Sequence, residues 1–256
     1  MTEVASRVAS LALVLRRSDF SETSQVGQLY FREIGRASVL AKGIKRKGAT
    51  LRGPLDLFVL AEAEVLIRPR SDLHLLTRYR VVTGYPGLRR NLERLGGAFV
   101  VTEILREGTS DHDASPELFD RARQTLEALE SAHSSQCGPI LAWWALEFLR
   151  HSGWLPSLEQ CVVCGRTAPE GRPVRVPLSM GGGVCRECLG QAQFRLWTLP
   201  PPVRQVLSAL VQMSEPAEAA DLAIDERTRI ILREFLGNLL QYHLDRELRT
   251  LPAWEA

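Results

Sequence analysis

Lysine is almost absent from this 256-residue chain: of its 32 Lys and Arg residues, only Lys42, Lys45 and Lys47 are lysines. Aromatic residues are also few, at 7%. No window approaches 18 consecutive apolar residues, which argues against a membrane-spanning helix. The opening "MTEVASRVASLALVLRR" has a short apolar run but neither a basic leader nor a small-residue cleavage site, so no signal peptide is expected. A cytoplasmic location follows as the default expectation.

The familiar catalytic signatures are missing too. Without G-x-x-x-x-G-K-[ST], an ATP-driven helicase or strand-exchange motor is not expected. There is no G-x-S-x-G elbow and no H-E-x-x-H helix. None of the five histidines (His74, His112, His133, His151 and His243) opens the H-x-E of a base deaminase. They are scattered singly and read as structural or surface residues. Asp19, Glu22, Asp56, Glu62 and Glu64 could be imagined as nuclease carboxylates, but spacing of this kind on strands more often marks a solvated face. No enzyme is indicated. Internal repeats and low-complexity tracts are likewise absent.

What is present is 45% hydrophobic and 24% charged, ordinary for a globular protein. The net charge of +2 conceals an asymmetry: residues 1–80 sum to +6 and residues 81–256 to −4. Residues 42–52, "KGIKRKGATLR", carry five positive charges and no negative one. A basic first third on an acidic remainder points to a localised anion-binding face, with nucleic acid the commonest partner.

Strand-like runs at 11–17, 26–33, 36–44, 55–68 and 73–82 are separated by Gly, Pro and Asp punctuation. Five short strands in about eighty residues suit a small barrel of the OB or SH3-like kind. Beyond "GYPG" (84–87) the apolar period becomes helical. Helices are expected over 88–108, over 115–131 behind a Ser cap and a Pro, and over 138–153, which is apolar almost all round. Residues 225–251 read as one long helix or as two meeting near Gly237. The expected class is therefore α+β, with an OB-type barrel over 1–82 and an all-α domain over 83–256.

Four of the five cysteines form two C-x2-C pairs separated by twenty residues: Cys161 with Cys164, and Cys185 with Cys188. Each pair can reach one ion from a tight turn, and together they close a tetrahedral S4 shell of the kind zinc usually fills. Two disulfides or unrelated thiols are the alternative, which a cytoplasmic chain disfavours. Four thiolates leave no open coordination position, so one zinc ion would be structural, stapling a Gly- and Pro-rich segment at 158–192. Cys137 reads as a small residue near a helix start. "GGG" at 181–183 is read as part of the knuckle turn.

The basic stretch lies between strand candidates and reads as a loop. Lys42, Lys45, Arg46, Lys47 and Arg52 belong to it, and Arg16, Arg17, Arg32 and Arg36 lie on neighbouring strands. Converging on one face, they could neutralise phosphates with sequence-independent affinity. Phe20, Tyr30, Phe31 and Phe58 are the aromatic candidates for base stacking, and some of them must be core. A solvated hairpin tip that aids solubility is the alternative reading.

"VLRRSDFSETSQVGQLYFREIGRASVLAKGIKRK" resembles the N-terminal signature of the bacterial RecO recombination-mediator family, with its R-x5-E-x-S run and its A-K-G-x-[KR]-[KR] hairpin. "YPGLRRNLERL", "LFDRARQTLEALE", "CVVCGR", "GGGVCREC" and "YHLDRELRT" continue the resemblance in the family's order over nearly the whole chain. It implies an OB fold, a helical domain, and zinc at Cys161, Cys164, Cys185 and Cys188. It also implies binding of single- and double-stranded DNA, ATP-independent strand annealing, and help in loading the RecA recombinase onto DNA coated with single-strand-binding protein. RecR and the acidic tail of single-strand-binding protein are the implied partners, RecA is engaged indirectly, and the location would be cytoplasmic and nucleoid-associated. The competing expectation is a structural zinc adaptor that mainly binds acidic protein tails.

Overall fold

Apolar alternation at 11–17 extends both ways into a long strand, β1 (Ser6–Asp19), around which the first half of the chain is organised. The computed structural model describes residues 6–46, 51–53, 55–190 and 196–254; Lys47 lies outside them. Antiparallel partners flank β1 on both sides, β2 (Gln25–Phe31) and, further along the chain, β5 (Leu60–Ile67). A tight turn leads from β2 into β3 (Gly35–Ala41). The last strand, β6 (Leu73–Thr83), is antiparallel to β5 and parallel to β3 over Ser38–Leu40, which closes the ring β3-β2-β1-β5-β6. Two residues, β4 (Leu51–Arg52), add a short parallel pairing on β6. Closure leaves those five strands without an open edge, the solution an OB-type barrel offers to the edge problem.

Small, aliphatic and aromatic side chains together fill the barrel, among them Ala12, Val14, Leu29, Phe31, Val39, Val65 and Tyr79. The pairing of β1 with β2 shifts register between Val14 and Arg16, and Ala12 to Leu15 are all buried. Such a bulge bends the strand so that it serves both halves of the barrel.

Two expected strands are shorter than their alternation suggests. The strand expected over 55–68 begins only at Leu60. Asp56 Oδ1 accepts from the Leu57 N–H at 2.9 Å, and Phe58 adopts φ +66° while its N–H donates to the Val14 carbonyl. The Phe58 ring then packs edge-on against Phe99, with centroids 4.9 Å apart. A local side-chain-to-backbone hydrogen bond and a buried ring have outweighed strand propensity. The strand expected over 36–44 ends at Ala41, where the glycine-containing basic loop begins.

The chain forms two compact units, 1–131 and 132–256, so the first continues past the barrel. It takes in a 3-10 turn (Pro86–Arg90), α1 (Leu92–Gly108) and α2 (Pro116–Ser131). The helix expected from residue 88 starts at Leu92, because Asn91 caps it by accepting from the Arg94 N–H at 2.9 Å. Ser115 caps α2 in the same way through the Leu118 N–H.

His74, near the start of β6, is buried. Its Nδ1 accepts from the Arg68 N–H at 3.2 Å, and its Nε2 lies 3.0 Å from His112 Nε2. With Nδ1 accepting, a neutral His74 carries its proton on Nε2. Burial, and then the neighbouring His112, hold its pKa below the usual imidazole range. The unfolded chain therefore binds a proton that the folded one refuses. This stabilisation is complete above about pH 6.5 and is lost as pH falls towards the lowered folded value. Urea midpoints at pH 7.5 and 5.5 should fall further apart for the wild type than for His74→Gln; equal spreads would refute the assignment.

In the second unit the central element is α3 (Ser134–His151), buried on nearly every side through Ile140, Leu141, Trp143, Trp144, Phe148 and Leu149. After it come β7 (Val174–Pro177), one-turn α4 (Arg186–Leu189) and β8 (Leu196–Leu199). Then α5 (Pro201–Gln212), α6 (Pro216–Ala220) and α7 (Glu226–Leu244) pack around α3. Trp143 Nε1–H donates to the Met213 carbonyl at 3.2 Å, satisfying the one polar atom of its ring. α7 runs unbroken through Gly237. A Cβ there would come within 3.2 Å of Leu251, so the missing side chain makes room for the closing turn Leu251–Trp254. No helix among the described residues is long and apolar enough to cross a membrane.

Candidate metal centre and nucleic-acid interface

The first cysteine pair forms a knuckle because the chain doubles back on itself. Cys161 N–H donates to the Arg166 carbonyl at 2.8 Å, and Gly165 N–H returns to the Cys161 carbonyl at 2.8 Å. The second pair begins α4, where Cys188 and Leu189 N–H groups both donate to the Cys185 carbonyl. The three glycines of 181–183 hold the two knuckles in register. Gly183 N–H donates to Ser157 and its carbonyl accepts from Val162 N–H at 3.0 Å. A Cβ on Gly182 would collide with the Ser157 backbone. β7, between the knuckles, pairs antiparallel with β8, which follows the second knuckle, giving a fold to part of a linker with no visible pattern of its own.

These turns gather Cys161, Cys164, Cys185 and Cys188 so that their sulfurs lie within 4.8 Å of one another, with Cys164 and Cys185 at 3.8 Å. A tetrahedral Zn–S4 shell with bonds of ~2.3 Å has edges of about 3.8 Å, so the residues fit a metal ion. Among the described residues this is the one cluster of three or more His, Cys, Asp or Glu side chains with metal-binding spacing. Backbone N–H groups of Cys185 and Cys164 draw the Cys161 thiol down to about 6. Hydrogen bonding first to Cys185 and then to Cys164 pushes Cys188 up to about 12. Four sulfurs this close shed all their protons only around a cation, and the closed set leaves no room for a substrate.

Arg204 on α5 anchors the segment that follows the first knuckle. Its guanidinium, largely buried, donates to the carbonyls of Pro169 (3.0 Å) and Ala168 (3.4 Å) and to Glu159 Oε2 (3.2 Å). Arg204→Ala leaves those carbonyls short of a charged donor and should cost about 2 kcal/mol. Chemical denaturation checks this, and metal content should stay at the wild-type level. Beside the cysteines, Arg166, Arg172, Arg175 and Arg186 contribute to a groove of about 480 Å³, with Arg166 tied to Glu187 at 2.7 Å.

The basic candidates divide between the two ends of β2. At one end, the loop 42–46 is tied to the β1–β2 turn. Gly43 N–H donates to Ser24 Oγ (3.1 Å), Lys45 N–H to the Thr23 carbonyl (3.1 Å), and Lys45 Nζ pairs with Asp19 at 2.7 Å. That ammonium, followed by the Gln25 amide, holds Asp19 below the usual carboxylate range. Lys42 and Arg46 extend from this loop, and both are exposed. Arg16 and Arg17 lie on the same end of β1, opposite Gln28 and Gly27, with Arg17 3.5 Å from Asp56.

Arg32 and Arg36 sit at the other end of β2, about 20 Å away at ~3.3 Å per residue. Arg32 donates to Asp120 and Glu33, each at 2.9 Å, and Arg36 to Asp111 at 2.6 Å and to the Arg106 carbonyl. These two therefore brace the barrel against its own helices and do not join the loop. Arg52 lies apart as well, on β4 beside Arg80.

The aromatic candidates separate cleanly: Tyr30, Phe31 and Phe58 are core, while Phe20 is exposed. Burial was not legible for these four, since each stands in or next to a strand-like run. Asp56 is paired with Arg17 and Arg89, Glu62 with Arg80, and Glu64 with Thr77, which accounts for most of the acidic residues weighed as a nuclease set.

Comparison with known proteins covers both units. Residues 6–85 match the family model "Recombination protein O N terminal", and residues 89–252 match "Recombination protein O C terminal". A protein named DNA repair protein RecO from Anaeromyxobacter dehalogenans (strain 2CP-C) is 34% identical over 244 residues, covering 94% of this chain and 93% of its own length. Its namesake from Rhodopirellula baltica is 32% identical over 218 residues, covering 85% and 79%. That from Myxococcus xanthus is 29% identical over 241 residues, covering 94% and 93%.

Proposed function

We propose that this chain, which belongs to the RecO family of DNA repair and recombination proteins, is a mediator that binds DNA and anneals complementary single strands without ATP. The observation that carries the reading is the loop 42–46, fastened to the β1–β2 turn at one end of an OB-type barrel. Arg16, Arg17, Lys42, Lys45 and Arg46 form the phosphate-binding set there, Lys47 follows them in the sequence, and Arg52, on β4 beside Arg80, is a separate phosphate contact. In this reading Arg32 and Arg36 hold the barrel's shape. Annealing needs two strands held with their charge neutralised and their bases free, which cationic side chains provide without catalysis.

The metal at Cys161, Cys164, Cys185 and Cys188 is one zinc ion with a structural role. Four thiolates suit that ion, and the segment they staple has little core of its own. The same reading includes RecR and the acidic tail of single-strand-binding protein as partners. It also includes assistance to RecA on DNA coated with that protein, and a cytoplasmic, nucleoid-associated location. No step in it requires an enzyme active site.

A second reading is favoured by the arginine-lined groove beside the cysteines, which would suit an acidic peptide. In that case the protein is a zinc adaptor for acidic tails and DNA is secondary. Titrating the full chain with a single-stranded oligonucleotide and with an acidic nonapeptide of the tail type, at the same salt, separates the two. The mediator reading expects strong, salt-dependent oligonucleotide binding. Tight peptide binding with negligible DNA binding would replace it with the adaptor.

A further inference from the structure

Phe20 stands in the β1–β2 turn with 63% of its surface exposed. The other aromatics in or beside the barrel strands, Tyr30, Phe31, Phe58 and Tyr79, are at most 2% exposed, so the barrel has core positions for rings and this one is kept out of them. An exposed phenylalanine forgoes the burial that folding rewards. The turn is not loose, either. Phe20 N–H and Ser21 N–H both donate to the Ser24 carbonyl (3.0 and 3.2 Å), and Ser24 N–H donates back to Ser21 Oγ. Ser24 Oγ and the Thr23 carbonyl are also the groups that receive Gly43 N–H and Lys45 N–H. The turn that presents the ring is thus the one that positions the cationic loop.

We infer that Phe20 is a base-stacking platform that makes this end of the barrel prefer single-stranded over double-stranded DNA. The inference rests on the proposed DNA-binding role of the loop 42–46 and names what that role leaves open. Cations at Lys42, Lys45 and Arg46 act on phosphates, which both forms of DNA carry. An aromatic face acts on base faces, and in a duplex those are already stacked on one another. Every base has such a face, so the platform needs no sequence. Placed beside the phosphate-binding loop, it receives a base from a strand whose backbone the loop holds.

The test compares a fluorescein-labelled oligo-dT with a hairpin duplex of equal phosphate number, using full-length protein at one salt concentration. Phe20→Ala should bind the single strand roughly 10-fold more weakly and the duplex within about 2-fold of wild type. Phe20→Tyr should restore the single-strand affinity, and Phe20→Leu, apolar without a π face, should not. Melting temperatures matching the wild type exclude a folding defect. Wild-type single-strand affinity in Phe20→Ala, or equal loss on both ligands, overturns the platform. The variant carrying Lys42→Gln, Lys45→Gln and Arg46→Gln serves as the second arm. If it also binds like wild type, the DNA face itself is misassigned; if it alone is weakened on both ligands, only the platform fails.

Discussion

Neutralising Lys42, Lys45 and Arg46 together to Gln is expected to weaken single-stranded DNA binding on the order of 50-fold at 0.15 M salt. Each phosphate contact on a single strand releases about 0.7 counterion, so three contacts contribute roughly two units to the slope of log affinity against log salt. That slope should become shallower by about 2, and the two proteins should converge as salt approaches 1 M. The fold should survive. Gly43 and Lys45 are attached to the β1–β2 turn through backbone N–H groups, which a change of side chain leaves in place. Among the described residues the one ion pair lost, Lys45 with Asp19, is at the surface, where such pairs contribute little. Binding titrations at four salt concentrations read both numbers. Parallel slopes for wild type and variant would remove this loop from the DNA face.

Cys161→Ser should lose about one equivalent of zinc per chain and open the segment around residues 158–190. Zinc in small sites contributes an apparent binding energy of ~10–16 kcal/mol at neutral pH, far more than the pairing of β7 with β8 could supply. Of the four ligands Cys161 is the one buried, and its sulfur also accepts the Cys185 N–H at 3.4 Å, so its loss disconnects both knuckles. The core around α3 is a separate store of stability, built from Trp143, Trp144, Phe148 and the helices packed on them. The expected result is therefore local: rapid proteolysis between Gly165 and Gly190, with helical circular dichroism largely retained. A strong chelator should do the same to the wild type, reversibly. Metal analysis showing a full equivalent in Cys161→Ser would refute the ligand assignment.

Much of the fold was legible because its signals are local. The strands follow from alternation, and α2 from Ser115 and Pro116 ahead of a helical stripe. The four cysteines were found because C-x2-C encodes a turn and a pair of ligands within six residues. Less visible were features set by partners distant in sequence. Nothing local tells that Phe58 takes φ +66° to place its ring against Phe99, which cuts the fifth strand short. Nothing local tells that Gly237 lies inside α7, where its missing side chain leaves space for Leu251. In the linker between the cysteine pairs, β7 finds its partner β8 only beyond the second knuckle, and its sequence shows no strand pattern.

The proposed interface was legible in composition and less so in geometry. Clustered lysines at 42–47 revealed a cationic loop, and the resemblance to the RecO family supplied a reason for it. Charge alone could not divide the arginines. Arg32 and Arg36 look like members of the same basic set, yet Asp120 and Asp111, some 75 to 88 residues further along, take up their guanidinium groups. Counting charges in a window cannot see a partner that far away. Phe20 was equally ambiguous beside Tyr30 and Phe31 until burial separated a surface ring from two core ones.

The central claim is that this protein brings complementary strands together by neutralising their charge, without ATP, and it is tested most directly by strand annealing without nucleotide. Two complementary labelled oligonucleotides are mixed with the full-length protein, with no ATP and no magnesium, and duplex formation is followed by energy transfer at rising salt. The account predicts that the protein accelerates annealing at low salt, that the acceleration fades as salt rises, and that the Lys42, Lys45 and Arg46 triple variant shows little of it. An annealing rate identical with and without the protein at every salt concentration would contradict it.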